Sequence, residues 1–586
     1  MGARSAAATI SLFLGAAAAA WAAVTVVSGG FAVRAAGLAL SSRDPIRPLI
    51  AAAFFVTAAF VLDGGTAVRR LRAAAGGRDR IPARVAGGAA ACVLVCSLAW
   101  NTRAAGGSDS SCYVLQADAF AHGRLTLTHP LADVLSDAPP AIFAPTGFLA
   151  SPVRPREAVP ICGAGLALAM AGASIVAGRD AVFAVVPLLA ALAVWLTFVL
   201  GRQLDNEVTG AAAAVLLACS PIFLYQAVQP MSDVPAAALW LAALAACARR
   251  DRPGAAIGGA CASFAVLTRP SLALAIVPLL FLQTGTVPVS KTGTVPVSSR
   301  SKRGQSPFSK WGLSPFFVAA VPAVAALLAL NLMRYGRLLG SGYGNPSALF
   351  SLSNVTPNLA RYPRWILETQ TPILLLAAVG LWSAARARAQ RRVAAVAALS
   401  AIAVVVPYLF YTVFDDWWYI RFLLPALPVL LVFCVRGALA LIPRHRRFAA
   451  AGICLVLCPW FLHIARVRHV FDLQALESRF VLTGTYANAQ PATTVFLAVQ
   501  QSGSIRYHGD RPTLAWDALP PDGLDATIAR LRAAGHSVLI ALEDAEEVAF
   551  RRRFRGQQAG ALDWPPAAEI HAPVRVRVWP PSEPPR

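Results

Sequence analysis

Long apolar runs separated by short basic loops repeat along most of the chain. Stretches close to the ~20 apolar residues needed to cross a bilayer recur from position 11 to position 463. Spans are placed near 7–28, 47–66, 85–101, 181–201, 209–228, 233–249, 254–268, 271–283, 315–334, 371–385, 393–413, 420–441 and 448–465. The pattern predicts an α-helical polytopic membrane protein with about 13 transmembrane helices. A lone signal peptide does not account for so many runs. The pair over 254–283 is short for two full crossings.

The loops give the spans a direction. Arg69, Arg70, Arg72, Arg78, Arg80 and Arg84 form one basic block, and Arg249, Arg250 and Arg252 a second. Lys291, Arg300, Lys302, Arg303 and Lys310 form a third. Arg386, Arg388, Arg391 and Arg392 make a fourth, and Arg444, His445, Arg446 and Arg447 a fifth. Lys and Arg concentrated in alternate short loops mark the cytoplasmic side. The segment 160–178 is apolar enough to be a further span. If it crossed, the later basic blocks would leave the side of the first. It is therefore expected to lie along the outer interface or re-enter, which puts Asp109, Asp233 and Asp415 on one external face.

Two regions break the rhythm. Between 284 and 314, Thr284-Gly285-Thr286-Val287-Pro288-Val289-Ser290 repeats at 292–298 among Pro, Gly, Ser and basic residues. This reads as a flexible cytoplasmic insertion without catalytic value. After 463 the apolar runs end. Strands are expected over 493–499 and 537–542 and helices over 524–534 and 545–554, the signature of a small external α/β domain. The expected organisation is an extra N-terminal hairpin with a basic loop (1–84), a transmembrane domain (85–470) with a long external loop (102–159), and the α/β domain (471–586).

Composition sharpens this in two places. Of the 586 residues 57% are hydrophobic and 14% charged, with mean hydropathy +0.58, where soluble domains carry about 25% charged residues. The net charge of +23 lies largely in interhelical loops, which argues against a nucleic-acid partner and for a bilayer. Most of the ten cysteines fall inside apolar runs, where they act as small apolar residues. Cys112 and Cys162 are candidates for pairing on the oxidising side, although spacing does not settle it. No CxxC pair or His-rich cluster suggests a metal site, and a divalent cation is left open.

Three acidic motifs adjoin spans: Ser108-Asp109-Ser110, Met231-Ser232-Asp233-Val234-Pro235 and Asp415-Asp416-Trp417-Trp418-Tyr419-Ile420-Arg421. Carboxylates at a bilayer boundary are costly to desolvate and point to function. The bland alternatives are definite. Ser-Asp-Ser before a helix is good capping sequence, and Asp233 suits a cap with Pro235 in the first turn. The aromatics after Asp416 fit an interfacial belt. Arg421 and Arg269 offer the planar fork that phosphate oxygens favour, with snorkelling to the interface as the ordinary explanation. Arg154 and Arg156 are weaker phosphate candidates, and His122 reads as a surface residue.

From Gly107-Ser108-Asp109 through Tyr113, Ala117 and Gly123-Arg124-Leu125 the chain resembles the GT-C glycosyltransferases. Within them it is most similar to bacterial relatives of the protein O-mannosyltransferases and of the lipid A aminoarabinose transferase. Ser220-Pro221-Ile222-Phe223-Leu224-Tyr225 leading to Asp233 is similar to the family's second external loop. Leu267-Thr268-Arg269-Pro270, Arg421-Phe422-Leu423-Leu424-Pro425 and Gln501-Ser502-Gly503-Ser504-Ile505-Arg506-Tyr507 match later family stretches in order. The likeness spans about 98 to 516. Many relatives carry a Tyr/Lys-Pro-Pro segment where this chain has Val159-Pro160-Ile161-Cys162-Gly163-Ala164, a departure in a region that shapes the family's cleft.

The resemblance implies a GT-C fold with interfacial helices in the first external loop. It implies an inverting transfer of a sugar from a polyprenyl-phosphate donor to a protein, lipid or glycan acceptor, at the outer face of a bacterial inner membrane. Asp109 takes the position of the family's acidic residue and would be the base. Asp233, Asp415, Asp416 and Tyr113 become candidates for acceptor binding, and Arg421, Arg269 and Arg156 for the donor phosphate. The rival classes are a transporter or flippase of lipid-linked glycan, and an inactive scaffold of the same fold. Intramembrane charge rings or paired helix breaks would favour the transporter, whereas the acids here sit at the rim.

Overall fold

A computed structural model describes residues 80–283 and 315–582 apart from residue 345, with scattered positions in 7–62. The first two expected spans fall largely outside the described residues, and the 284–314 insertion falls wholly outside them. Strands β1 (Phe31–Ala35) and β2 (Leu38–Ser42) pair antiparallel between those two spans.

Each of the eleven spans expected after residue 84 corresponds to helix. Among the described residues five helices are long and apolar enough to cross a membrane: Ile81–Ala99, Arg179–Leu204, Pro315–Tyr335, Arg391–Phe410 and Pro443–Val467. Three more arise if bent pairs count as single spans: Glu207–Cys219 with Pro221–Ala227, Leu352–Gln370 with Pro372–Arg386, and Trp417–Leu423 with Leu427–Leu441. The bends follow local chemistry. Pro221, Pro372 and Pro428 each open the second member, where a missing N–H costs least. Among the described residues the remaining expected spans are shorter apolar helices such as Asp233–Cys247 and Pro270–Leu282.

Small residues let the helices approach closely. A Cβ on Gly201 would lie 2.5 Å from the Gly210 Cα, and one on Gly437 2.1 Å from the Leu376 carbonyl oxygen. Such contacts replace hydrophobic driving force where lipid is the solvent. At one end of the bundle, loops from three pairs of helices meet at Asp205. Arg436 and Arg446 lie 3.9 and 3.5 Å from its carboxylate, and Gln390 donates to its carbonyl at 3.4 Å. This partly buried network is not anticipated from the sequence.

The opposite end carries the long loop and the C-terminal domain. Helix Ala164–Ala177 has fourteen residues, about 21 Å at 1.5 Å per residue, less than the ~30 Å hydrocarbon core. The segment is anchored at this end on both sides. Gly163, just before it, leaves only 2.5 Å between an added Cβ and the Thr268 carbonyl oxygen. Phe183, just after it, accepts from the Asn101 side chain at 2.8 Å.

The loop itself holds helix Gly107–Ala121 and a small antiparallel sheet in the order β3 (Leu127–Thr128), β5 (Glu157–Pro160), β4 (Phe148–Ala150). Sequence patterning missed the sheet because its strands are two to four residues long.

The C-terminal domain is a five-stranded sheet ordered β7 (Thr513–Leu514), β6 (Thr494–Leu497), β8 (Ser537–Glu543), β10 (Val576–Trp579), β9 (Ala568–Ile570). β6 runs parallel to β7 and β8, while β10 is antiparallel to β8. The expected helices appear as Leu524–Ala533 and Asp544–Arg553. The domain shares a core with the 102–159 loop, since Leu131, Leu135, Ile142 and Phe143 pack with Val495, Leu514 and Trp516.

Candidate functional site

A cavity of about 600 Å³ opens where the acidic loops converge. Helix Gly107–Ala121 contributes Ser108, Asp109 and Tyr113 to it, and the turn into helix Asp233–Ala248 contributes Met231, Ser232 and Asp233. The break after helix Arg252–Thr268 contributes Arg269 and Ser271, and the 3₁₀ turn Trp417–Leu423 contributes Tyr419, Arg421 and Phe422.

The charges form two crossed pairs. Arg421 donates through Nη2 to Asp109 Oδ2 at 2.8 Å, joining residues 312 apart in sequence. Arg269 donates through Nη1 to Asp233 Oδ1 at 2.5 Å. Asp233 is 4% and Arg269 12% exposed, so this pair is enclosed, whereas Asp109 at 32% is open to the cavity. The Arg421 Nε is buried with no hydrogen-bond partner among the described residues, and the side chain as a whole is 14% exposed.

Neither carboxylate is a cap. Helix Gly107–Ala121 has Gly106 at its N-cap, and Asp109 lies in the first turn. Helix Asp233–Ala248 has Ser232 at its N-cap, without a side-chain bond. Both acids instead face arginines.

Aromatic rings form the opposite wall. Tyr343, Phe350, Tyr408, Tyr411, Phe414, Tyr419 and Phe422 line the cavity. Tyr408 accepts from Arg269 Nε at 3.2 Å and its hydroxyl lies 2.8 Å from that of Ser271. Phe422 sits between the two arginines, 5.2 Å from Arg269 and 5.3 Å from Arg421, close enough for cation–π attraction. Tyr113 is buried, and burial followed by the nearby Asp109 charge pushes its phenol pKa up, so it remains a neutral hydroxyl.

The expected site residues thus divide. Asp109, Tyr113, Asp233, Arg269 and Arg421 are brought together, while Asp415, Asp416 and Arg156 do not line the cavity. Asp415 is 84% exposed and pairs with Arg361. Asp416 is an exposed N-cap residue of the turn that aims Arg421 inward. Arg156 lies in the turn before β5, 65% exposed, and donates to Asp133 at 2.6 Å. Sequence reasoning passed over Ser271, Tyr408 and Phe422. Tyr408 and Phe422 resemble belt aromatics until the fold turns them toward the arginines. Among the described residues no group of three or more His, Cys, Asp or Glu side chains is placed to hold a metal ion.

Cys112 and Cys162 are joined in a disulfide, with Cα atoms 6.2 Å apart. It ties the Asp109 helix to Gly163, a cavity-lining residue where the chain departs from the Tyr/Lys-Pro-Pro pattern. Closing a loop of this length typically stabilises by about 2–4 kcal/mol. A Cys112→Ser/Cys162→Ser variant is expected to unfold at lower temperature in detergent, by an amount that reductant reproduces in the parent. An unchanged Tm would show that the crosslink constrains nothing.

No family model and no curated protein matches the sequence. Solved structures do match. ArnT from Cupriavidus metallidurans, the lipid A aminoarabinose transferase, aligns in its apo state with a TM-score of 0.52 at 13% identity, covering 83% of this chain and 96% of that one. The same protein bound to undecaprenyl phosphate aligns with a TM-score of 0.52 at 12% identity, covering 84% and 98%. The Archaeoglobus fulgidus oligosaccharyltransferase aligns more loosely, at a TM-score of 0.47 and 11% identity, covering 82% and 71%. The chain therefore shares its overall fold with ArnT.

Proposed function

We propose that this chain is an integral membrane glycosyltransferase of the bacterial inner membrane. It moves a sugar from a polyprenyl-phosphate donor to a protein, lipid or glycan acceptor at the outer face, where the C-terminal domain also lies. The observation that carries this reading is the pair of arginine–carboxylate contacts in one large cavity at the loop-bearing end of an apolar bundle. The cavity supplies both chemical needs of the transfer, a carboxylate open to an acceptor and cations for a phosphate leaving group.

The geometry supports one assignment of roles. A donor phosphate entering the cavity competes with Asp109 for the Arg421 guanidinium. The Asp109 carboxylate is then released toward the acceptor. It takes the acceptor hydroxyl's proton as the oxygen attacks the anomeric carbon from the side opposite the phosphate. The carbon–oxygen bond to phosphate breaks, the configuration inverts, and polyprenyl phosphate leaves with its charge held by Arg421 and Arg269. Asp233 holds Arg269 in position, and Tyr113 and the aromatic wall bound the sugar.

The test is transfer in proteoliposomes from undecaprenyl phosphate carrying a radiolabelled hexose or pentose. Labelled acceptor product in the extract is the expected result. Movement of the labelled lipid between leaflets without transfer would identify a flippase, and neither activity would identify a scaffold.

A further inference from the structure

The C-terminal domain packs against the start of the helix that carries Asp109. Its helix Ser502–Tyr507 is wedged against the turn that starts the Asp109 helix. Gly503 has no room for a side chain, since a Cβ would lie 2.2 Å from the Ser111 Cβ and 2.4 Å from the Ala105 carbonyl oxygen. Beside it, Ser502 Oγ accepts from the Thr146 backbone N–H at 2.9 Å, and Thr146 Oγ1 donates to the Val499 carbonyl at 2.7 Å.

Thr146 passes the contact on. The buried Ser111 hydroxyl lies 2.5 Å from both the Thr146 and Gly107 carbonyl oxygens, one turn around Asp109. Gly147 follows in the left-handed region, φ 88°, with an added Cβ only 2.2 Å from the Ser108 carbonyl oxygen. On the other side of the same turn, Gly106 lies flat against the Phe480 ring of the C-terminal domain, with 2.1 Å to an added Cβ. Every backbone unit from 105 to 108 is thus set by residues 480, 499, 502 and 503, directly or through Thr146 and Gly147.

We infer that the Ser502–Gly503 wedge is a positioning device for the catalytic carboxylate, with Gly503 its critical residue. The inference rests on the reading of Asp109 as the base. Any Cβ at 503 pushes on Ser111, two residues from Asp109 on the same helix. The displacement shifts the carboxylate relative to the acceptor while Arg269, on another element, keeps the phosphate.

The test is a double-mutant cycle between Gly503→Ala and Asp109→Asn, read as kcat and KM with the labelled undecaprenyl-phosphate donor. Misplacement of a catalytic group by about 1 Å costs on the order of 10²-fold, so Gly503→Ala alone is expected to lower kcat by about 10–100-fold with KM little changed. In the Asp109→Asn background the same substitution is expected to add less than about threefold, because its target is already gone. An equal loss in both backgrounds, or a folded Gly503→Ala protein with unchanged kcat, overturns the inference while leaving the transferase reading intact. If Gly503→Ala does not fold, Ser502→Ala takes its place in the cycle, with a smaller loss of about 3–10-fold and the same expected non-additivity. A parent protein that transfers no sugar rejects the transferase reading, and the inference falls with it.

Discussion

Replacing Asp109 with Asn is expected to lower turnover by about 10²–10⁴-fold while binding of undecaprenyl phosphate survives. The substitution keeps the size of the side chain and one hydrogen-bond acceptor but removes the proton acceptor. A capping role would forecast no loss, because Asn caps helices about as well as Asp. The structure weakens that alternative, since Gly106 holds the N-cap position and the Asp109 carboxylate faces Arg421. The substitution also removes the negative partner of Arg421, so the guanidinium is freer for an anion. Affinity for undecaprenyl phosphate is therefore expected to hold or rise as turnover falls. Equilibrium binding of the lipid phosphate and single-turnover transfer, measured on the same preparation, separate the two effects. Near-normal transfer by Asp109→Asn would remove the residue from the chemistry.

How far the sequence reached depends on the range of the interaction involved. Helices were legible because burial in lipid imposes long apolar runs on residues close in sequence. The eleven expected spans after residue 84 accordingly match helical segments, and even Ala164–Ala177 was recognised as an odd member. The amphipathic helix Val355–Gln370 was passed over because its charges, Arg361, Arg364 and Glu368, interrupt the apolar run. The 111° bend between the helices of that region lies at Thr371, whose φ of 64° no hydropathy pattern announces.

The site was legible to the extent that motif order was. Asp109, Asp233, Arg269 and Arg421 stood out as charges beside apolar spans, but their pairing joins positions 312 and 36 residues apart. No local rule yields such contacts. The misplacement of Asp415 and Asp416 has a local cause. They precede a 3₁₀ turn in which Arg421 and Phe422 face the cavity, so adjacency in sequence to Arg421 put them in the wrong company. Arg156 likewise lies close in sequence to the cavity-lining Gly163, yet the turn before β5 points its side chain to Asp133. The Cys112–Cys162 link was left open by spacing and depended on the fold of the loop, which brings two Cα atoms 50 residues apart to 6.2 Å.

Arg269→Ala is expected to be the most damaging single change for the fold as well as for donor capture. Asp233 is enclosed, and its carboxylate would lose the guanidinium at 2.5 Å. Stranding one partner of a buried ion pair typically costs about 3–5 kcal/mol, because the remaining charge stays desolvated. The Tyr408 hydroxyl would lose its Arg269 Nε donor in the same step. Loss of affinity for undecaprenyl phosphate in this variant would therefore not isolate a phosphate contact. The double variant Asp233→Asn/Arg269→Met does, since it removes both charges and keeps most of the volume, and replacing a buried pair in this way is often neutral for stability. The expected outcome is a low Tm for Arg269→Ala and a Tm near the parent's for the double variant. Binding of undecaprenyl phosphate should be weakened at least about tenfold in both, as loss of a charge-assisted contact implies. If the double variant binds the lipid phosphate as the parent does, Arg269 serves only to neutralise Asp233. The phosphate would then rest on Arg421 alone.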